Sequence, residues 1–344
     1  MSGQPDTDQL SFAEVTPVDG TARASALAAL GAGDTFTRPP DAVDLGKLGT
    51  AAAWVAGCQG YYPPRALTRP RVVVFAADHG VAERGVSARP AGSTGAVVAE
   101  VEDGSSPLAV TADAVGAGLR VIGVGLAEGA SDYLVRRSSG VIDVADALTD
   151  DEVRAGVRAG MAVADVEVDS GADLLIAANL GVGSTTAAST LVAALTGSEP
   201  VAVVGRGSGI DDAGWMRKTI AVRDALRRAR PHLAEPLALL RTAGGADLAA
   251  LAGFLAQAAV RRTPVLLAGL TVSAAAMVAE ELAPGARQWW LAVTSTEEPA
   301  HRLALEHLDL EPLLDLGVNG DAELAAVAAV PVIATATRVL AATA

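Results

Sequence analysis

The stretch Val72-Val73-Val74-Phe75-Ala76-Ala77-Asp78-His79-Gly80 decides the fold class. Six apolar residues in a row, ending at polar residues and a glycine, are typical of a strand buried on both faces. Alanine-rich helical segments separate five further apolar runs, at residues 119–124, 174–178, 201–204, 264–267 and 290–293. Strands that alternate with helices predict an α/β fold, with a three-layer, Rossmann-like parallel sheet of about six strands.

Composition restricts the class of protein. The chain has 344 residues, 51% of them hydrophobic and only 3% aromatic, so a large core must be built from Ala, Val and Leu. A net charge of −14 opposes general binding to nucleic acid or to anionic lipid. One cysteine, Cys58, and four histidines predict neither a disulfide nor a zinc site and fit a reducing cytoplasm.

Neither end of the sequence predicts export or membrane insertion. The first thirty residues carry acidic side chains where a signal peptide would be basic. Residues 324–344 are strongly apolar, but Pro331 and Arg338 interrupt them. We expect a buried terminal helix there rather than a membrane span. Residues 22–32 and 47–57 also predict helices, joined by a turn at 37–41.

Ligands of parallel α/β sheets bind beyond the carboxyl ends of the strands. The segments to be examined for chemistry are therefore residues 78–89, 179–186, 205–212, 269–273 and 294–301.

Residues 179–186, Asn-Leu-Gly-Val-Gly-Ser-Thr-Thr, follow a strand and open a helix. Glycines allow close approach to the backbone, and free N–H groups and hydroxyls suit a phosphate. An ordinary strand-to-helix turn, with Ser184 or Thr185 as the helix N-cap, is the equal alternative. The segment has neither P-loop nor dinucleotide-binding spacing.

A second glycine-rich segment, residues 205–212, precedes a helix that contains Lys218. Two such segments on adjacent strands would hold one nucleotide, with Lys218 neutralising its phosphate. The residues alone favour a solvated helix lysine at position 218, and for Arg206 a structural ion pair is the equal alternative.

Three further features are ambiguous. Asp78-His79 either supplies a base or, as the more common case, hydrogen-bonds backbone to shape the next loop. Residues 87–90 predict a pocket wall. His301, near Thr296 and Glu298, either completes a polar cluster or caps a helix.

Several blocks of sequence, taken in order, resemble one family. They are Ala76-Ala77-Asp78-His79-Gly80-Val81, Gly181-Val182-Gly183-Ser184-Thr185-Thr186, Gly205-Arg206-Gly207-Ser208-Gly209, Gly244-Gly245-Ala246-Asp247-Leu248, Glu298-Pro299-Ala300-His301-Arg302 and Glu311-Pro312-Leu313-Leu314-Asp315-Leu316-Gly317. The chain is identified from them as a member of the nicotinate-nucleotide:dimethylbenzimidazole phosphoribosyltransferases of cobalamin biosynthesis.

The resemblance implies a cytoplasmic homodimer that needs neither a metal nor another cofactor. It implies a large α/β domain at residues 65–300 and a smaller helical domain that combines residues 1–64 with residues 301–344. Family enzymes move phosphoribose from nicotinate mononucleotide to a ring nitrogen of dimethylbenzimidazole, giving an α-ribotide and nicotinate. The pyridinium leaving group departs as a neutral ring, so the protein must mainly position the reactants, anchor phosphate and remove a proton.

The chain departs from the family pattern on the acceptor side. The family's general-base Glu corresponds to Ala322, Asn179 replaces an acid of the phosphate loop, and Arg89 replaces a tyrosine. Glu323 is the candidate substitute base. Because adjacent helix positions differ by about 100° in direction, this role requires a register shift or a loop conformation.

With these departures included, the resemblance predicts two groups of site residues. Donor and phosphate binding is assigned to Gly181, Gly183, Ser184, Thr185, Thr186, Gly207, Ser208, Gly209 and Lys218. The acceptor pocket is assigned to Asp78, His79, Ser87, Arg89, Asn179, Leu180, Thr296, Val318 and Ala322.

Retained donor loops favour a phosphoribosyltransferase that acts on dimethylbenzimidazole or a related aza-aromatic base. The alternative is a catalytically impaired, nucleotide-binding paralogue or partner subunit, which would form a heterodimer with an active enzyme. A purely structural role is disfavoured, because glycine-rich strand ends would cost backbone entropy without serving a function.

Overall fold

The computed structural model describes residues 10–30, 45–318 and 320–342, so the predicted turn at 37–41 lies outside the described residues. A parallel five-stranded sheet in the order β2-β1-β3-β4-β5 forms its centre. The strands are β1 (Pro70–Ala77), β2 (Gly118–Gly125), β3 (Leu174–Leu180), β4 (Val265–Leu267) and β5 (Trp290–Ala292).

Helices connect and flank these strands. They are α1 (Gly20–Ala29), α2 (Lys47–Gln59), α3 (Thr94–Glu102), α4 (Pro107–Ala114), α5 (Asp150–Asp169), α6 (Ser184–Thr196), α7 (Pro200–Val203), α8 (Asp212–Ala229), α9 (Pro236–Ala243), α10 (Ala246–Val260), α11 (Gly269–Leu282), α12 (Pro299–Leu308), α13 (Ala322–Ala328) and α14 (Val330–Ala342). Short 3₁₀ helices occupy Gly80–Arg84, Arg230–His232 and Ala286–Trp289.

The predicted α/β class is confirmed, with one strand fewer than expected. Residues 201–204 do not form a strand, because Pro200–Val203 is the short helix α7. Pro200 occupies its first position, where the fixed φ of proline favours a helix. Val201 is 60% exposed, so it also lacks the cover that a central strand requires.

Helices cover both faces of the sheet. Every residue of β1 except Arg71 is buried, although successive side chains point to opposite faces. On one face, Phe75 packs edge-on against Phe254 of α10, with ring centroids 5.4 Å apart. This double burial explains the continuous apolar run from which the strand was predicted.

The strand order places a crevice between β1 and β3. From β1 the chain first crosses to β2 on one side and then returns to β3 on the other side of β1. Crossovers that leave in opposite directions open a crevice at the carboxyl ends of those two strands. Residues following Ala77 and Leu180 therefore border the expected binding position.

A second, smaller core joins helices from distant parts of the chain. Ala26 of α1, Ala52 of α2 and Leu340 of α14 are fully buried in it. Helix α2 also contacts the main core, and Trp54 Nε1 donates to the carbonyl oxygen of Gln288 at 3.0 Å. The helices that begin and end the described chain are thus packed together.

The apolar segment at 324–344 was predicted as one helix, but its described part is α13 and α14, separated at Ala329. Ala322–Ala342 is long and apolar enough to cross a membrane, since an 18-residue window of it has a mean hydropathy of 1.9, and half of that window is buried inside the structure. Buried helices of soluble proteins share that composition, so length and hydropathy alone are weak grounds for a membrane span.

Candidate active site

A cavity of about 310 Å³ lies beyond the carboxyl end of β3. Its volume is at the lower end of the range typical of small-molecule sites. Helices α3 and α4, the segments that follow β3 and α7, and the starts of α11 and α13 all contribute to its wall.

Most of the residues predicted from the sequence line this cavity. Those in the wall are Ser87, Arg89, Asn179, Leu180, Gly181, Gly183, Ser184, Thr185, Gly207, Ser208, Thr296, Ala322 and Glu323. Within the described part of the chain, the wall does not include the predicted residues Asp78, His79, Thr186, Gly209, Lys218 and Val318.

The loop after β3 presents backbone to the cavity. Gly183, not Ser184 or Thr185, is the N-cap of α6, and its φ of +92° lies in the left-handed region that favours glycine. Ser184 Oγ donates to the carbonyl oxygen of Gly181 at 2.8 Å. The N–H groups of Ser184 and Thr186 donate to the carbonyls of Gly181 and Gly183, and because a glycine N-cap has no capping side chain, the Thr185 N–H between them is left for an anion.

Asp78 and His79 lie behind the wall because their polar atoms bind other parts of the protein. Asp78 Oδ1 accepts from Thr94 Oγ1 at 2.5 Å, and its Oδ2 accepts from the Ala127 N–H at 2.9 Å. His79 Nε2 lies 3.0 Å from Asp247 Oδ2, with both side chains fully buried. Their placement in the acceptor pocket is therefore corrected: these residues shape the loops that form it.

Asn179 connects the cavity wall to the same buried network. Its Nδ2 donates to Asp247 Oδ2 at 2.8 Å and to the Phe75 carbonyl at 3.1 Å. Burial opposes ionisation of Asp247, but the charge of His79 and hydrogen bonds from His79, Asn179 and Leu248 outweigh it and lower the pKa. A carboxylate therefore stands directly behind Asn179.

Lys218 is fully buried beneath the second glycine-rich segment, so the solvated-lysine interpretation is wrong. Its Nζ donates to Thr185 Oγ1 at 3.1 Å and to the Gly205 carbonyl at 3.3 Å, and lies 3.9 Å from Glu298 Oε2. Burial lowers the pKa of Lys218, while the charge of Glu298 opposes that shift. Arg206 forms the structural ion pair considered from the sequence, with Asp212 at 2.5 Å.

Two loops meet at the mouth of the cavity. The Ala88 N–H donates to Ser208 Oγ at 2.8 Å, and the hydroxyls of Ser87 and Ser208 are 3.2 Å apart. Arg217 adds a hydrogen bond from Nε to the Gly85 carbonyl at 3.0 Å. These contacts fix the segment that carries Arg89.

Glu323 enters the wall from the first turn of α13. Burial raises its pKa to about 7, with a further increase from Asp321 and opposition from its own backbone N–H and from Arg89. The neighbouring Ala322 also lines the cavity. Both positions therefore border the same cavity, at the end of the helix where the chain enters α13.

His301 supports the wall but offers no base. Its Nδ1 lies 3.0 Å from Thr296 Oγ1, and burial lowers its pKa to about 4. The ring is neutral at neutral pH. The helix-cap alternative is wrong, because Glu298 is the N-cap of α12.

The cavity wall includes residues that the sequence did not indicate. Helices α3 and α4, together with the N-cap residue of α4, supply Thr94, Val97, Glu100, Val101, Ser106, Pro107 and Leu108. They lie on helices between strands, where no motif distinguishes them from core positions. Among the described residues, no group of three or more His, Cys, Asp or Glu side chains could hold a metal ion.

Comparison with known proteins gives consistent matches over nearly the whole chain. A family model described as phosphoribosyltransferase matches residues 15–344. A protein of Mycobacterium avium (strain 104), named nicotinate-nucleotide--dimethylbenzimidazole phosphoribosyltransferase, is 54% identical over 336 residues, covering 96% of this chain and 95% of that protein. A protein of the same name from Mycobacterium tuberculosis (strain ATCC 25618 / H37Rv) is 54% identical over 325 residues, covering 93% of this chain and 89% of that protein.

A solved structure has the same fold as this chain. The crystal structure of CobT from Thermus thermophilus superimposes with a TM-score of 0.86 at 37% identity, covering 93% of this chain and 96% of that chain.

Proposed function

The chain belongs to the phosphoribosyltransferase family that its sequence and fold both match, and on this premise we propose that it transfers phosphoribose from nicotinate mononucleotide to dimethylbenzimidazole. The products are an α-ribotide and nicotinate, and the reaction belongs to cobalamin biosynthesis.

The observation that carries the proposal is the position of Glu323. Glu323 lines the same cavity as the glycine-rich segments, and the pKa of its carboxyl group is raised to about 7. A general base is most effective when its pKa lies near the working pH. Glu323 therefore has the position and the proton affinity needed to take over the role that Ala322 lacks.

The walls of the cavity differ in character. Val97, Val101, Leu108 and Leu324 provide an apolar side that suits a flat aromatic acceptor. The start of α6 provides N–H groups for the phosphate of the donor. We infer that the acceptor ring lies between α3, α4 and α13, and that the donor lies along residues 181–185.

The reaction balances without an added reagent. One ring nitrogen of the acceptor uses its lone pair to form a bond to the anomeric carbon. The bond from that carbon to nicotinate breaks, and its electron pair returns to the pyridine nitrogen. The proton on the acceptor's other ring nitrogen passes to the Glu323 carboxylate. The protein lowers the barrier mainly by holding both reactants in line.

The experiment is incubation of the purified chain with nicotinate mononucleotide and dimethylbenzimidazole. We expect release of nicotinate and formation of the ribotide in equal amounts. A chain that binds nicotinate mononucleotide but releases nicotinate only when mixed with a paralogue would instead be the impaired partner subunit.

The family also guides three proposals about the whole molecule. We propose a cytoplasmic homodimer. We also propose a large domain at residues 65–300 and a small domain that combines residues 1–64 and 301–344. Packing of α14 against α1 and α2 supports the small domain. Sedimentation of the purified chain tests the dimer.

A further inference from the structure

Glu298 lines the cavity, and hydrogen bonds fix its backbone. Pro299 begins α12, and the Glu298 carbonyl accepts from the His301 N–H at 2.9 Å. The Glu298 N–H reaches Thr296 Oγ1 at 3.4 Å. The side chain is 12% exposed and lines the cavity.

The two carboxylate oxygens of Glu298 have different surroundings. Oε1 accepts from the Gly207 N–H at 2.6 Å. Oε2 is buried 3.9 Å from Lys218 Nζ and accepts no hydrogen bond from any described residue. Gly205 packs so closely beneath the carboxylate that a Cβ there would collide with both oxygens. The group therefore has little room to move away.

This arrangement requires a hydrogen-bond donor. An ionised carboxylate can only accept, and a buried acceptor without a partner carries a desolvation cost. A phosphate would bring further acceptors and negative charge beside Glu298. A sugar hydroxyl brings a proton to donate and no charge. Lys218, already facing one carboxylate, does not offer the uncompensated positive charge that a phosphate favours.

We propose that Glu298 binds a ribose hydroxyl group of the donor, and that Gly207 and the buried Lys218 position its carboxylate for this contact rather than binding the phosphate. The phosphate then lies at the start of α6, against the N–H groups of Gly183 and Thr185, since the Ser184 N–H donates to the Gly181 carbonyl at 3.2 Å. The inference rests on the proposed function, because it takes the ligand to be a ribotide. It reassigns Gly207 and Lys218 from binding the phosphate to positioning Glu298.

The test measures binding without turnover. Calorimetry compares ribose 5-phosphate with its 2-deoxy and 3-deoxy analogues on the wild type, Glu298→Ala and Glu298→Gln. A hydrogen bond from a hydroxyl to a charged group corresponds to about a 10- to 100-fold preference. We expect the wild type to prefer ribose 5-phosphate by that factor over at least one analogue. Glu298→Ala should bind all three sugars with similar affinity.

Glu298→Gln keeps the size of the side chain and guards against misfolding of the alanine variant. It should retain only part of the preference. Glu306→Ala, which removes an exposed carboxylate from the same helix, is the matched control and should behave as the wild type.

Three results would overturn the inference whatever the transfer assay shows. They are an equal loss of affinity for all three sugars in Glu298→Ala, tighter binding of inorganic phosphate by Glu298→Gln, and no binding of ribose 5-phosphate by the wild type. The second result would make the carboxylate a substitute for the phosphate itself. A wild type that transfers phosphoribose while Glu298→Ala keeps full sugar preference would refute the inference alone. Sugar preference without any transfer would refute the proposed function alone.

Discussion

Glu323 is the single residue on which the proposed chemistry depends, and it lines the same cavity as the glycine-rich segments. The sequence pointed to Glu323 only as a neighbour of Ala322, because adjacent helix positions normally face different directions. The structure shows that both residues border the same cavity, since they stand at the very start of α13. Two adjacent residues can border one cavity at the end of a helix, where the chain itself enters the cavity wall. The spacing of residues in the sequence could not show that α13 begins there.

Replacement of Glu323 tests its role as the base. We expect Glu323→Gln to lower kcat by about 10²- to 10⁴-fold, the usual contribution of a general base. In the wild type, the carboxylate becomes protonated below a pH of about 7, so the rate should fall as the pH decreases through that value. Rate profiles from pH 5 to 9 measure both effects, and the variant should lose the acid limb.

Two comparisons test whether Glu323 acts as the base. Because the folded pKa of Glu323 lies above the ordinary 4.5, its ionisation destabilises the fold as the pH rises through about 7. Glu323→Gln should then be more stable than the wild type at pH 8, which separates loss of the base from loss of folding. A tenfold gain in transfer from Ala322→Glu alone would contradict the assignment to Glu323.

At the scale of secondary-structure elements, the strands were easier to predict than their connections. Double burial gives a central strand an unmistakable apolar run, as at residues 72–77. The short run at 201–204 has the same composition, but Pro200 starts a helix and nothing covers Val201. Contributions of α3 and α4 to the cavity were not predicted, because they depend on how distant elements pack.

The buried His301 of α12 should make the protein less stable in acid. His301 is buried with a folded pKa of about 4, against about 6.5 when exposed. Between these values the unfolded chain binds a proton that the folded chain excludes, so stability falls as the pH decreases from 6.5 to 4. The loss should be on the order of 3 kcal/mol.

Urea denaturation at pH 4.5 and at pH 7 measures this loss. His301→Asn should reduce the difference between the two conditions, at some cost in stability at both. His307→Asn changes an exposed histidine of the same helix and should leave the difference as it is. An unchanged difference in His301→Asn would mean that other groups cause the sensitivity to acid.

At the scale of the whole molecule, α14 holds the two helices that begin the described chain. Composition indicated that residues after 324 are buried, whereas their partners were implied only by the family resemblance. Small alanine side chains allow close helix contacts but leave no distinctive pattern, so the pairing of α14 with α1 and α2 could not be derived from periodicity. The break at Ala329 was missed for the same reason.

Substitution of Leu340 tests how much the packing of α14 against α1 and α2 contributes to stability. Leu340 is fully buried against α1 and α2, and Leu340→Ala should cost about 2 to 5 kcal/mol in free energy of unfolding. Val339→Ala, at a partly exposed position of the same helix, should cost clearly less. Denaturant titration compares the two, and equal losses would show that the small core contributes little.

Helices α13 and α14 are the last two helices of the described chain, so both are synthesised after the rest of the cavity wall. While the ribosome is still translating residues before 320, the glycine-rich segments have already been made, but the carboxylate of Glu323 has not. Until α14 has been made, the apolar surface that α1 and α2 bury against it stays exposed. An interrupted translation product therefore lacks the carboxylate that we propose as the base and exposes the kind of apolar surface that chaperones and proteases recognise.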